Sequence, residues 1–251
     1  MIKVVVSGAK GKMGRAISRL IGHKMDMKVI AGYDIYYEES DIVIYDDLNK
    51  IPDTPDVIID FSHPTVVKKL TEYAVDKGVA LVVGTTGLED EHKEMLLNAS
   101  KKVPVFVSHN MCMGVFLLIN LAKQASKVLQ GYDIEIVEKH HNQKIDAPSG
   151  TAIMIADAIK EVRKDADYVY SRADVRKKRG KEEIGIHSIR GGNLVGEHTV
   201  LLIGENETIE ITHKLASREV LAAGAVDVIR FIAKQKPGYY TMKDLMNSSL
   251  N

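Results

Sequence analysis

The chain has 251 residues, and its 34 lysines and arginines are matched by 34 aspartates and glutamates. A net charge of zero leaves no electrostatic footprint for nucleic acid or an anionic membrane surface. Cys112, the single cysteine, excludes an internal disulfide and points to a reducing, cytoplasmic setting. The length and an apolar content of 45% suit one large domain or two modest ones. No run approaches the roughly 20 apolar residues that span a bilayer, and the given sequence opens on the first strand, so no targeting leader is expected.

Residues 2–6 are a β-branched run that reads as a buried parallel strand. The run breaks into a turn with glycines at 8, 11 and 14, followed by a helix with Met13, Ile17, Leu20 and Ile21 on one side. Glycine permits the tight bend and lets the backbone approach a pyrophosphate. A second strand, 27–32, leads to Asp34, 20 residues past Gly14, where a carboxylate can accept from the adenosine ribose hydroxyls. A lone glycine motif is weak evidence. Set between strand and helix and followed by that acid, it predicts a dinucleotide site.

Strands are then expected at 41–44, 56–61, 79–83 and 103–107, with helices at 65–76 and 89–99. This alternation predicts a parallel sheet covered by helices on both faces. Its ligands bind beyond the C-terminal strand ends, where the Gly84-Thr85-Thr86-Gly87 and Ser108-His109-Asn110-Met111 turns fall. A long helix over 114–129 leads into a second region. It holds a strand at 133–139, a helix at 151–162, a polar loop at 163–181 and strands at 184–190, 197–203 and 208–213. Gly191-Gly192-Asn193 and Glu205-Asn206 read as hairpin turns. The strands are grouped, so this half is expected to be α+β with an open sheet. Ser217 is placed as the cap of a last long helix, and a short helical tail follows Gly238-Tyr239-Tyr240. No flexible linker separates the halves.

The most informative stretch is 138–152, Glu-Lys-His-His-Asn-Gln-Lys-Ile-Asp-Ala-Pro-Ser-Gly-Thr-Ala. It leaves a half-buried strand, passes two imidazoles and the Lys144 ammonium, and enters a helix through Ser149, a good N-cap. The helix start at Gly150 and Thr151 turns backbone N–H groups toward any docked carboxylate. A His-His pair on a loop is also compatible with plain surface or with half of a metal site. Neighbours in an extended chain point to opposite faces, and no Cys/His cluster of zinc spacing accompanies them, so no metal is expected.

Together these residues resemble the 4-hydroxy-tetrahydrodipicolinate reductase (dihydrodipicolinate reductase) family of lysine and diaminopimelate biosynthesis. The resemblance spans essentially the whole chain. Its most specific part is 138–152, which matches the E-x-H-H-x-x-K-x-D-A-P-S-G-T-A signature throughout. Arg190-Gly191-Gly192, Gly196-Glu197-His198 and Gly238-Tyr239 match as well. The resemblance implies a Rossmann-type dinucleotide-binding domain from 1–110 and 217–251, with an α+β substrate-binding and tetramerisation domain from 111–216 built on an open mixed sheet. It implies a homotetramer and hydride transfer from a nicotinamide to an unsaturated ring dicarboxylate. His140 is then the proton donor and acceptor and Lys144 a second proton donor, while His141, Gly150 and Thr151 hold the substrate. Cofactor contacts are implied at Gly8, Ala9, Lys10, Gly11, Lys12, Met13, Asp34, Gly84, Thr85, Thr86, Ser108, His109, Asn110 and Met111.

Two departures from the family pattern stand out. Many members carry an arginine after the acid that follows the second strand, where it grips the 2′-phosphate of NADP. Here Ile35 follows Asp34, so NADH is expected to be preferred, with some NADPH use through Lys12. Met111-Cys112-Met113 replaces smaller residues, and Cys112 is expected to be buried packing. Rival readings are another two-domain nicotinamide dehydrogenase, a cofactor-sensing module and a metal hydrolase. The first lacks an account of the His-His-x-x-Lys loop. The second lacks an output element such as a basic DNA-reading helix.

Overall fold

The structure, a computed structural model, describes residues 1–35, 42–217 and 219–249. In chain order its elements are β1 (Ile2–Ser7), α1 (Lys12–Gly22), β2 (Met27–Tyr33), β3 (Ile44–Tyr45), β4 (Val57–Asp60), α2 (Pro64–Lys77), β5 (Ala80–Val83), α3 (Asp90–Ala99) and β6 (Pro104–Val107). There follow α4 (Met113–Val128), β7 (Asp133–His140), α5 (Gly150–Lys160), β8 (Asp167–Val169), β9 (Glu183–Arg190), β10 (Gly196–Ile203) and β11 (Thr208–Leu215). The chain closes with α6 (Glu219–Ile232), β12 (Gly238–Tyr240) and α7 (Met242–Ser249). The segments form two compact units, Met1–Cys112 with Glu219–Asn251, and Met113–Arg218. Among the described residues no helix is long and apolar enough to cross a membrane.

In the first unit the described strands make a seven-stranded sheet in the order β12-β6-β5-β4-β1-β2-β3. All its pairs are parallel. A parallel strand buried on both faces needs a continuous apolar run, and Val4, Val5, Val6, Ile58, Ile59, Leu81 and Val105 are fully buried. The chain steps one way from β1 to β3 and the other way from β4 to β6, so the strand order reverses between β1 and β4. At such a switch point the loops diverge and leave a crevice. The helices start and stop where local chemistry dictates. Pro64 opens α2, and Gly78 ends it at φ 68°. Glu89 and His92 form a reciprocal cap on α3.

The second unit carries a five-stranded mixed sheet, β11-β10-β7-β9-β8. β7 is central, antiparallel to β10 and parallel to β9. Its residues alternate between half-buried and buried, with Ile134, Ile136, Glu138 and His140 on the buried face. Helices α4 and α5 pack on each other and on this sheet.

Several local expectations are corrected. Gly191-Gly192 is not a hairpin turn, because β7 lies between β9 and β10. The segment instead crosses the end of β7: Gly191 N donates to His140 O (2.9 Å) and Asn142 N to Gly192 O (3.2 Å). Gly192 makes the bend at φ 51°, a conformation open to glycine. The expected loop at 163–181 contains β8, too short to show a period. Gly238-Tyr239-Tyr240 is a strand, recruited by the open edge of β6. Of the strand expected at 41–44, Asp41 lies outside the described residues and pairing starts at Ile44. The last long helix begins at Glu219, and Arg218, between it and Ser217, is also outside them. His140 is the last residue of β7 rather than part of the loop.

Candidate active site

Two groups of residues carry chemistry, one in each unit. In the first unit the turn after β1 lies flat on the end of β4. Gly8 has φ 73°, and a Cβ there would sit 2.5 Å from Phe61 O. A Cβ on Gly14 would sit 2.2 Å from Gly8 O, so α1 approaches the turn as only glycine allows. Gly8 N donates to Tyr33 O (2.9 Å), and Lys10 N to Asp34 Oδ2 (3.1 Å). The acid at the end of β2 is thus tied to the turn itself. Gly11, the N-cap of α1, brings no side-chain cap to the first turn of that helix, the arrangement that suits an anion.

Two cavities of about 440 Å³ each flank the turn and share Gly11, Phe61 and Ser62. One is lined by Gly8, Asp34, Ile35 and His63 and is largely apolar. The other is lined by Lys12, Met13, Gly84, Thr85, Thr86, His109, Asn110 and Met111. An extended molecule with a bridging anion at the helix start and a flat group on either side fits this pair of hollows. Three sequence candidates line neither cavity. Ala9 is buried, Lys10 offers its backbone to Asp34, and Ser108 Oγ donates to Asn110 O (2.6 Å), closing the turn after β6. Cys112 is buried, and its N–H donates to Asn110 Oδ1 (2.9 Å).

Sequence reading passed over the end of β4, where Phe61, Ser62 and His63 line the cavities. It also passed over Asp60, which is fully buried below them. Asp60 accepts from Ser7 Oγ (2.7 Å), Thr85 Oγ1 (2.6 Å) and Ser62 Oγ. Burial pushes its carboxyl up, and the three hydroxyl bonds only partly oppose that. The group gathers the ends of β1 and β4 and the turn after β5, and so sets the cavity floor. The only available signal was its place as the last polar residue of an otherwise apolar strand.

In the second unit the alternation of β7 directs Glu138 and His140 to the same buried face. Glu138 is fully buried, and both its oxygens are occupied. Arg190 donates to Oε2 (2.8 Å) and Oε1 (2.7 Å), Ser149 N to Oε1 (3.1 Å), and His140 Nδ1 lies 2.5 Å from Oε2. Burial works to raise this carboxyl, but hydrogen bonds from His140, Arg190 and Ser188 outweigh it and hold Glu138 well below the usual carboxylate range. Ser149 caps α5 by accepting from Ala152 N (3.2 Å) and lies 3.0 Å from His198 Nε2. The rings of His140 and His198 meet edge to face at 5.2 Å. Burial pulls His198 down to about 4, assisted by the nearby His140.

Glu138 therefore connects the imidazole to the start of α5. Lys144 pairs with Asp146 (2.7 Å) in the loop between them. Gly150 and Thr151 form the first turn of α5, Gly150 exposed and Thr151 half-buried. His141 is half-buried just past the strand. A Cβ on Gly196 would lie 3.1 Å from His140 Nε2, so glycine keeps space open beside that nitrogen. The arrangement holds an imidazole, a lysine ammonium and the start of a helix on one connected segment. Among the described residues, Glu89, Glu91 and His92 at the start of α3 form a group of three donors close enough to share a metal ion.

Residues 2–111 match the family model "Dihydrodipicolinate reductase, N-terminus", and 114–246 match "Dihydrodipicolinate reductase, C-terminus". A 4-hydroxy-tetrahydrodipicolinate reductase of Caldanaerobacter subterraneus subsp. tengcongensis is 46% identical, over 98% of both chains. One of Clostridium novyi is 42% identical, over 99% of both. A dipicolinate-bound dihydrodipicolinate reductase from Paenisporosarcina sp. TG-14 superposes with a TM-score of 0.81 at 26% identity, over 96% of this chain and 97% of that one. The C-terminal family model runs through α6 and β12, which in space belong to the first unit.

Proposed function

The chain belongs to the dihydrodipicolinate reductase family, and we propose that it reduces the unsaturated ring formed when 4-hydroxy-tetrahydrodipicolinate loses water, giving tetrahydrodipicolinate. A nicotinamide coenzyme, for which the paired cavities around the glycine turn are suited, supplies the hydride when bound. His140 gives the proton that quenches negative charge building on the ring beside the reduced carbon. Imidazole titrates near neutral pH and suits that task. Lys144 and the start of α5 at Gly150 and Thr151 complement the two carboxylates, with Lys144 leaving Asp146 to act as a second proton donor and His141 as a further contact.

The observation that carries this reading is the buried Glu138 carboxylate, which joins His140 to the helix start and presents acid and anion receptor together. The test is NADH oxidation by the purified protein with substrate made in place by the upstream synthase. Absence of turnover there, with turnover of another dehydrogenase substrate, overturns the reading.

NADH is the preferred coenzyme. Asp34 repels a 2′-phosphate, and the next residue, Ile35, is apolar and lines the same cavity. Lys12 lies across Gly11 in the other cavity and gives NADPH limited access. A kcat/KM ratio favouring NADPH contradicts this assignment. The working form is a homotetramer in the cytoplasm, which sedimentation of the purified protein tests for assembly.

A further inference from the structure

Glu138 is a buried carboxylate that joins His140 to the start of α5, and its bonds also bear on which nitrogen of the ring holds the proton. An ionised carboxylate accepts hydrogen bonds and cannot donate them. Its oxygens take two N–H groups from Arg190 and one from Ser149. The nitrogen facing Oε2, His140 Nδ1, must therefore be the one that bears a hydrogen. Which imidazole nitrogen carries the proton is set by the bond the other makes. Arg190 is itself held, donating to Asp146 O (2.6 Å) as well as to Glu138, so the carboxylate cannot rotate away. The opposite nitrogen, Nε2, faces the space that Gly196 leaves without a side chain.

We propose that Glu138, clamped by Arg190, is a positioning residue that keeps a proton on His140 Nδ1 and so reserves Nε2 for the proton passed to substrate. In the neutral ring Nε2 is then a bare acceptor. After taking up a proton it becomes the donor, while Nδ1–H stays bonded to Glu138 throughout. The imidazolium formed in each cycle meets a fixed counter-charge already in place, so nothing has to reorganise as the proton moves. The proposal deepens the role given to His140 above and rests on it.

A brace holding β7 to β9 and α5 would use the same bonds, so the test must read the proton. Long-range proton–nitrogen correlation spectra of ¹⁵N-histidine-labelled full-length protein, at a pH where the ring is neutral, should show His140 protonated at Nδ1. Free histidine in water favours Nε2. In Glu138→Gln one neutral acceptor oxygen replaces two charged ones, and both tautomers should be seen. That variant should lose kcat by about 10²-fold, keep its KM for NADH, and show a displaced pH–rate profile. The wild-type spectrum decides even if the variant does not fold. His140 protonated at Nε2 in the wild type, or a variant with unchanged kcat and pH profile, overturns the proposal. A wild-type protein with His140 protonated at Nδ1 but no reductase turnover overturns the functional reading instead.

Discussion

Acid should weaken this protein through His198 in particular. The ring is buried between β7, β10 and the start of α5, and Nδ1 has no hydrogen-bond partner among the described residues. Charging it would add a cation beside His140, with His213 and Lys144 also nearby. Glu138 favours the charged ring but is already engaged by Arg190. Burial therefore lowers His198 from the ordinary 6.5 to about 4. A histidine that is harder to protonate folded than unfolded binds protons preferentially when unfolded, so stability falls as pH drops through this window. The loss is negligible at pH 7, about 2 kcal/mol by pH 5, and levels off near 3 kcal/mol below pH 4. Urea unfolding followed by circular dichroism at pH 7 and pH 5 reads it. The wild type should lose about 2 kcal/mol more between the two than His198→Gln, whose amide does not titrate. Equal losses, or a His198 that titrates above pH 6 by nuclear magnetic resonance, would refute the reasoning.

Three further outcomes follow from the site. His140→Ala should lower kcat by about 10²-fold or more with KM for NADH unchanged, whereas Lys144→Ala should lower kcat and raise the substrate KM. Steady-state kinetics separates the two, and full turnover in either variant rejects its assigned role. Ile35→Arg should raise kcat/KM for NADPH by about 10- to 100-fold, the worth of one hydrogen bond to a charged group. No gain would mean that a 2′-phosphate does not reach this side of Asp34. Gly14→Ala places a carbon 2.2 Å from Gly8 O, where about 3.3 Å is normal. Helix α1 must then retreat by about 1 Å, costing about 1–3 kcal/mol of stability and weakening NADH binding. Thermal unfolding and fluorescence titration check both effects, and wild-type values in both would show that the turn relaxes at no cost.

Local chemistry is written in short spans, and those spans were legible. The β-branched run, the three glycines and Asp34 mark a strand, a turn and a second strand because each reports a backbone requirement of its own neighbourhood. The alternation over 133–139 likewise announced a half-buried strand, and the signature of 138–152 carried the family. Strand order is another matter. Nothing within ten residues of Gly191 says that β7 will lie between β9 and β10, because pairing is chosen by which faces can be buried together. Hence a crossing looked like a hairpin.

The same limit hid the groups that tune the site. Glu138 could be seen as an acid, but Arg190 lies 52 residues away and His198 arrives from a third strand. Asp60 meets Ser7 across 53 residues. Burial, a shared carboxylate and a displaced proton affinity arise from what surrounds a side chain in space. Residue order names the groups, and folding sets the charge each one holds.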